Sequence, residues 1–307
     1  MEYDIDYDPT SPKQANEILR EHGIRAQKRL GQNFLVDRNI LDKIVRAADI
    51  GTEDPTLEIG AGLGGLTLAL AAVSPAVTAI EIDMHLEPIL RHIPEQHPNV
   101  RLVYGDFLRL DIPALCDAAF GDRQGVVVAN IPYYITTPIL EKLLENKARI
   151  RRIVLLVQHE FALRMVAKHD TDDYGAMSIF VQYNARVELI GTVPKTVFLP
   201  SPDVSSAIIA LTPVVPGTVA VDDEARFFHI VRSSFAQRRK TLLNALLRAP
   251  ASFNLGFTME DRVGVEALLA AAGIDGARRG ETLSLEEFAR LANTPVPTQK
   301  IASMIDT

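Results

Sequence analysis

Short β-branched runs alternate with stretches of helical spacing along most of this chain, the pattern of an α/β fold. Residues 56–59, 76–80, 100–104, 126–129 and 153–157 each read as a strand from nearly continuous apolar positions, and the β-branched run at 126–129 as one buried in a parallel sheet. Helices are expected at 138–146, 158–168 and 175–184. Asp37 is placed to cap a helix whose apolar positions Ile40, Leu41, Ile44 and Val45 fall on one face, and Ser11-Pro12 opens a shorter helix upstream. Two further strands, 186–193 and 205–212, flank a stiff connection, 194–204, that holds three prolines.

Beyond Thr212 the pattern changes. Residues 213–218 read as an extended linker of Pro, Val and Gly. The chain after this linker is helical in pattern, at 222–234, 239–247, 259–272 and 285–293, the last capped by Ser284 with Glu287 closing a capping box. The expected division is a leader and short helix over 1–27, an α/β domain over 28–213 and a helical domain over 219–307.

The strands of the first domain end in polar residues. Thr56-Leu57-Glu58-Ile59 runs into Gly60-Ala61-Gly62-Leu63-Gly64-Gly65, where glycines let the backbone approach a ligand closely. The next strand ends in Glu81-Ile82-Asp83, about the distance at which an acid binds the two hydroxyls of a ribose. The third ends in Gly105-Asp106-Phe107, where Asp106 is placed to accept from an adenine amino group, and the fourth in Asn130-Ile131-Pro132-Tyr133. In a parallel sheet all four tips share one edge, the edge at which open α/β sheets bind ligands. The glycines at 60, 62, 64 and 65 lack the spacing of a pyrophosphate loop, so the adenosine-binding acids suit S-adenosylmethionine better than NAD.

Asn-Ile-Pro-Tyr suits alkylation of an exocyclic amine on a nucleobase. Such a nitrogen is a poor nucleophile because its lone pair is delocalised into the ring. The Asn130 amide oxygen and the carbonyl of Ile131 or Pro132 are placed to accept its two N–H groups and turn the lone pair out of the plane. Tyr133 supplies a ring for the base to stack on, and Phe198, on the proline-rich connection, a second wall. An ordinary strand with a Pro-stopped turn, and a surface aromatic tucked onto the core, account for the same segments without chemistry.

Length and composition narrow the class. At 307 residues the prior is about two domains, and 47% hydrophobic residues supply a large core. A single cysteine, Cys116, rules out an intrachain disulfide or a Cys-rich zinc site, and no metal is expected. The N-terminus lacks the features of a signal peptide and no apolar run nears the roughly 20 residues that span a bilayer, so a cytoplasmic protein with no membrane partner is expected. Net charge is −7, yet bases gather at Arg25/Lys28/Arg29, at Lys147/Arg149/Arg151/Arg152, and at Arg232/Arg238/Arg239/Lys240. Segregated charge permits a basic, RNA-binding face on an acidic chain.

Taken in order, the motifs Gly31-Gln32-Asn33-Phe34-Leu35, 58–67, Glu81-Ile82-Asp83, Gly105-Asp106, Asn130-Ile131-Pro132-Tyr133, 198–206 and 235–244 resemble those of the KsgA-type ribosomal RNA adenine dimethyltransferases. The resemblance spans roughly 28–247 and is specific as an ordered set. It implies a seven-stranded Rossmann-like, class I S-adenosylmethionine-dependent methyltransferase domain plus a small all-helical C-terminal domain. It implies transfer of two methyl groups to each of two adjacent adenosines near the 3′ end of 16S rRNA, in the immature small ribosomal subunit, by a monomer. Gln32, Asn33, Leu35, Gly60 and Gly62 would line the methionine end of the cofactor, with Glu81 at the ribose. Ile82, Asp106 and Phe107 belong to the adenine side, and Asn130, Pro132, Tyr133 and Phe198 to the target base. Ala61 stands where that family usually has Pro, and Asp203 and His159 stand where Lys is common. A resistance-type 23S rRNA adenine methyltransferase shares the Asn-Ile-Pro-Tyr core, although the 235–241 segment favours the small-subunit enzymes. A DNA adenine methyltransferase would carry a recognition insertion that is not found here. A ribosome assembly factor using the fold as a docking surface is the third alternative.

Overall fold

The computed structural model describes residues 8–237, 239–248 and 262–295. Its strands are β1 (Phe34–Leu35), β2 (Thr56–Ile59), β3 (Val77–Glu81), β4 (Val100–Tyr104), β5 (Gly125–Asn130), β6 (Ile150–Gln158), β7 (Ala185–Val193), β8 (Phe198–Leu199) and β9 (Ser206–Pro213). Seven of them form one sheet in the order β4-β3-β2-β5-β6-β9-β7. The five that read as continuous apolar runs are parallel, and β9 runs antiparallel to both β6 and β7. The α/β class and the seven strands that the resemblance implies are therefore present, and the antiparallel β9 makes the sheet mixed.

This order locates the ligand edge. The chain lays down β2, moves outward through β3 and β4, then returns to place β5 on the other side of β2. The crevice at such a reversal is where doubly wound sheets hold ligands. Ile59 pairs with Ile80 on one side and Ala129 on the other, so Gly60, Glu81 and Asn130 emerge side by side. Position is held by burial: Val126, Val127 and Val128 are wholly inaccessible. Helices over Arg38–Ala48 and Gly65–Ala71 pack residues Leu41, Ile44, Leu66 and Leu70 into the core that includes Val126, Val128 and Val154.

Local signals placed most element ends. Asp37 caps its helix by accepting from the Ile40 N–H at 3.1 Å, and Ser284 and Glu287 form the reciprocal capping box. Ser11 occupies the cap of the helix Pro12–Glu21 but its side chain makes no capping bond. Two readings change. Residues 34–35, at the end of a polar, glycine-punctuated stretch from 28 that reads as a loop in the sequence, pair antiparallel with 198–199, Phe34 opposite Leu199 and Leu35 opposite Phe198. The helix expected from 239 starts at Leu242, because Thr241 caps it by accepting from the Asn244 N–H, which leaves Arg239 and Lys240 in the preceding turn. The helix expected from 259 is described over Arg262–Ala271, with 259–261 outside the described residues.

By its contacts the chain separates into two units, one of 1–163 with 184–215 and one of 164–183 with 216–307. A division at a single linker after 213 puts 164–183 with the sheet. In the structure Tyr174 and Tyr183 are instead buried in a cluster with Phe227, Ile230, Leu268 and Phe288. Tyr183 packs at a tilt against Phe227 and edge to face with Phe228 and donates to Glu224 at 2.7 Å, while the Tyr174 hydroxyl donates to the Leu283 carbonyl at 3.0 Å. A bidentate ion pair of Arg278 with Glu287 braces the helix Leu285–Asn293 and holds the Glu287 carboxyl below its ordinary range.

Candidate active site

The floor of the site is the turn after β2. Gly60 and Gly62 adopt left-handed conformations, φ +86° and +57°, which residues with a Cβ rarely tolerate. Space enforces the same choice. A Cβ on Gly60 would meet the Asn130 carbonyl oxygen at 3.3 Å and one on Gly62 would meet the Phe34 ring at 3.3 Å. The Gly60 and Ala61 N–H groups both donate to the Ile80 carbonyl, at 2.9 and 3.0 Å, which clamps the turn to β3.

Glu81, at the end of β3, is 5% exposed. One carboxylate oxygen accepts from the Gly62 N–H and the other from the Asp83 N–H, both at 2.8 Å. Burial raises the Glu81 pKa, and those N–H groups oppose the rise by favouring the charged form. A carboxylate held by backbone donors keeps lone pairs on both oxygens, the arrangement that accepts from two vicinal hydroxyls. Asp106 caps the turn Phe107–Arg109 through the Leu108 N–H at 3.0 Å and stays partly exposed.

Asp83 is a member that sequence reasoning quoted in a motif without giving it a role. Its oxygens accept from Gln27 Nε2 and Gln32 Nε2, each at 2.8 Å, and from the His85 N–H at 3.1 Å, with His85 Nδ1 at 2.8 Å. The Gln32 amide oxygen in turn accepts from the Gln27 N–H at 2.8 Å. These bonds, more than enough to offset a desolvated carboxyl, depress the Asp83 pKa despite burial. The consequence is structural: Asp83 ties the 27–32 segment to the strand end that carries Glu81. The only signal for it was a pair of glutamines, one before the conspicuous Gly31 and one between it and Asn33.

At the tip of β5, Asn130 Nδ2 lies 3.5 Å from the Asn33 carbonyl, and Asn33 Nδ2 donates to the Gly31 carbonyl at 3.0 Å. The Asn130 amide oxygen accepts no hydrogen bond from the described residues. The Pro132 carbonyl accepts from the Ile135 N–H at 3.2 Å, closing the turn that presents Tyr133. Tyr133 is pinned through its hydroxyl, 2.6 Å from Ser206 Oγ on β9, and burial raises its pKa. Phe198, 5% exposed, belongs to the hydrophobic core and to the pocket wall at once. Pairing of β8 with β1 holds it there.

One pocket gathers these groups. Its lining includes Gln32, Asn33, Leu35, Gly60, Gly62 and Glu81, then Ile82, Asp106 and Phe107, then Asn130, Pro132, Tyr133 and Phe198. Its empty space is about 1130 Å³, open mouth included. Acids at one end, an amide oxygen without a protein donor among the described residues at the other and glycines between fit a nucleoside cofactor beside a flat aromatic substrate. The basic residues proposed for RNA lie elsewhere in sequence: Arg232, Arg239 and Lys240 are exposed in the second unit, and Arg238 lies outside the described residues. No group of His, Cys, Asp and Glu able to hold a metal ion occurs among the described residues.

Beneath the floor, Glu58 on β2 is fully buried, accepts from Thr67 Oγ1 at 2.6 Å and leaves Oε1 without a partner. Desolvation pushes its pKa up to about 8, against the Thr67 bond that lowers it.

Residues 23–289 match the family model described as ribosomal RNA adenine dimethylase. The chain is 47% identical over 295 residues to the ribosomal RNA small subunit methyltransferase A of Geobacillus thermodenitrificans, covering 96% of this chain and 99% of that protein. It is likewise 47% identical over 290 residues to the protein of that name from Bacillus cereus strain B4264, covering 94% and 98%. Among solved structures, a dimethyladenosine transferase from Plasmodium falciparum superposes with a TM-score of 0.70 at 27% identity, over 83% of this chain and 94% of that one. The 23S rRNA methyltransferase ErmE superposes with a TM-score of 0.63 at 30% identity, over 84% and 98%.

Proposed function

The chain belongs to the ribosomal RNA adenine dimethylase family, and from that premise we propose that it uses S-adenosylmethionine to dimethylate the N6 amines of two adjacent adenosines near the 3′ end of 16S rRNA. Its substrate is the immature small subunit in the cytoplasm, it acts as a monomer, and it contributes to small-subunit biogenesis. The observation that carries the reading is Asn130: an amide oxygen with no partner among the described residues, at the tip of the strand beside Gly60, in one pocket with Glu81, Asp106, Tyr133 and Phe198.

The cofactor, when bound, supplies an electrophilic methyl group on a good leaving group. The protein's work is then alignment, because the amine needs its lone pair freed and aimed more than it needs a strong base. Asn130 Oδ1 and the Ile131 carbonyl accept the two N–H groups of the amine and rotate its lone pair towards the methyl. Tyr133, immobilised by Ser206, sets the plane of the base and Phe198 covers the other face. The amine becomes acidic once alkylated and releases its proton to water. For the second transfer one N–H remains, so one acceptor suffices. Glu81 takes the ribose hydroxyls and Asp106 the adenine amino group, while Asn33, Leu35 and the glycine turn hold the methionine end. In the helical domain Arg232, Arg238, Arg239 and Lys240 contact the RNA backbone.

The likeness to ErmE favours a second reading, methylation of 23S rRNA. Both are tested together by supplying labelled S-adenosylmethionine with small subunits from a strain lacking the modification, and protein-free large-subunit rRNA in parallel. Dimethyladenosine in 16S rRNA by mass spectrometry is the expected result. Label confined to 23S rRNA would establish the second reading, and label in neither would leave a docking role in assembly.

A further inference from the structure

Tyr134 follows the catalytic tetrapeptide and differs from every other aromatic residue described. It is 63% exposed, and no other Phe or Tyr among the described residues is as exposed. Nevertheless it lines the pocket that holds Asn130 and Tyr133. Its ring is located from behind: a Cβ on Gly31 would meet Pro132 Cβ at 3.0 Å and the Tyr134 ring at 3.2 Å, so the ring rests against the Gly31 backbone. The hydroxyl makes only a long contact, 3.5 Å, to the Arg29 carbonyl. A flat apolar surface is thus held at the rim of a base pocket with one face left to solvent. Leaving a ring so exposed forfeits its hydrophobic stabilisation, and stacking with a nucleobase restores it.

We propose that Tyr134 is a substrate-positioning residue that stacks on the nucleotide next to the target adenosine in single-stranded RNA. The inference rests on the RNA-methylating reading above. Extracting one base from a strand leaves its neighbour unstacked on the side the target occupied, and an aromatic ring at the pocket mouth replaces the lost partner. The two adjacent tyrosines divide the task. Tyr133, anchored by Ser206, faces the base that reacts, and Tyr134 faces the one beside it.

The test compares the full-length wild type with Tyr134→Ala, Tyr134→Phe and Tyr134→Trp on unmethylated small subunits. Wild-type transfer is the control for the reading itself; if it is absent, that reading fails and Tyr134 is not at issue. Given wild-type transfer, Tyr134→Ala is expected to raise KM for the subunit about tenfold, the effect of losing one stacked base. Its dissociation constant for S-adenosylhomocysteine and its melting temperature should match wild type, and Phe and Trp should restore the KM. An RNA hairpin carrying 2-aminopurine beside the target gives a direct reading, with quenching on binding that Tyr134→Ala abolishes. An unchanged KM would overturn the proposal. So would a parallel loss of cofactor affinity, which would make Tyr134 a prop for the Gly31 segment.

Discussion

The backbone carbonyl of Asn130 lies where it would be 3.3 Å from a Cβ on Gly60. The turn after β2 and the tip of β5 thereby approach each other at a position where any side chain is crowded. Gly60→Ala combines that clash with a left-handed φ of +86°, a conformation that costs a residue with a Cβ roughly 1–2 kcal/mol. We expect affinity for S-adenosylhomocysteine and turnover to fall together, by about tenfold or more. Calorimetric titration and a methyl-transfer assay on the same preparation measure both.

Asn130→Ala separates the two. In the proposed role the side chain would accept from the target amine, and in the protein its Nδ2 reaches the Asn33 carbonyl only at 3.5 Å. Loss of an acceptor acting on the reacting group should lower turnover about 10²-fold, with cofactor affinity changed far less. Equal losses in both would contradict the role given to Asn130.

Glu58 makes stability depend on pH. Its carboxyl is ordinary, 4.5, when the chain is unfolded and about 8 when folded. Between those values the folded state holds a proton that the unfolded state has released, so raising the pH favours unfolding. The stability contributed by the neutral carboxyl is whole below about 4.5 and is lost as pH rises towards about 8, at about 1.4 kcal/mol per pH unit. Glu58→Gln cannot ionise and should flatten that slope. Urea melts at several pH values read it, and a wild-type curve level between pH 5 and pH 8 would refute the assignment.

RNA binding should be salt-sensitive through the helical unit. Arg239 and Lys240 are exposed in the turn before Leu242, where the backbone of a nucleic acid can reach them. Replacing either by Ala should reduce the slope of log K against log salt by about 0.7 to 1, leaving cofactor affinity intact. An unaltered slope would remove them from the interface.

Much of this molecule is written locally. Nearly continuous apolar runs identified the five parallel strands, the partly exposed edge strand β4 included, and hence the edge at which Gly60, Glu81, Asp106 and Asn130 meet. Caps at Asp37, Ser284 and Glu287 were legible because capping is a contact between residues three apart. The distance from Gly62 to Glu81 was legible too, since one strand, one turn and one helix fix it.

What the tertiary structure decided are pairings between distant segments. The two-residue strand at Phe34–Leu35 is too short to show a period, and exists because Phe198–Leu199 lies opposite it. Asp83 gained its role only when Gln27 and Gln32 were folded onto it across more than fifty residues. The segment 164–183 has the same helical pattern in either unit; what assigns it is that Tyr174 and Tyr183 find aromatic partners after residue 216. The Tyr133 hydroxyl likewise has its partner on β9. Periodicity and capping are set by neighbours along the chain and so can be read from it, whereas a hydrogen bond or a packed ring between remote segments appears only once the sheet has brought them together.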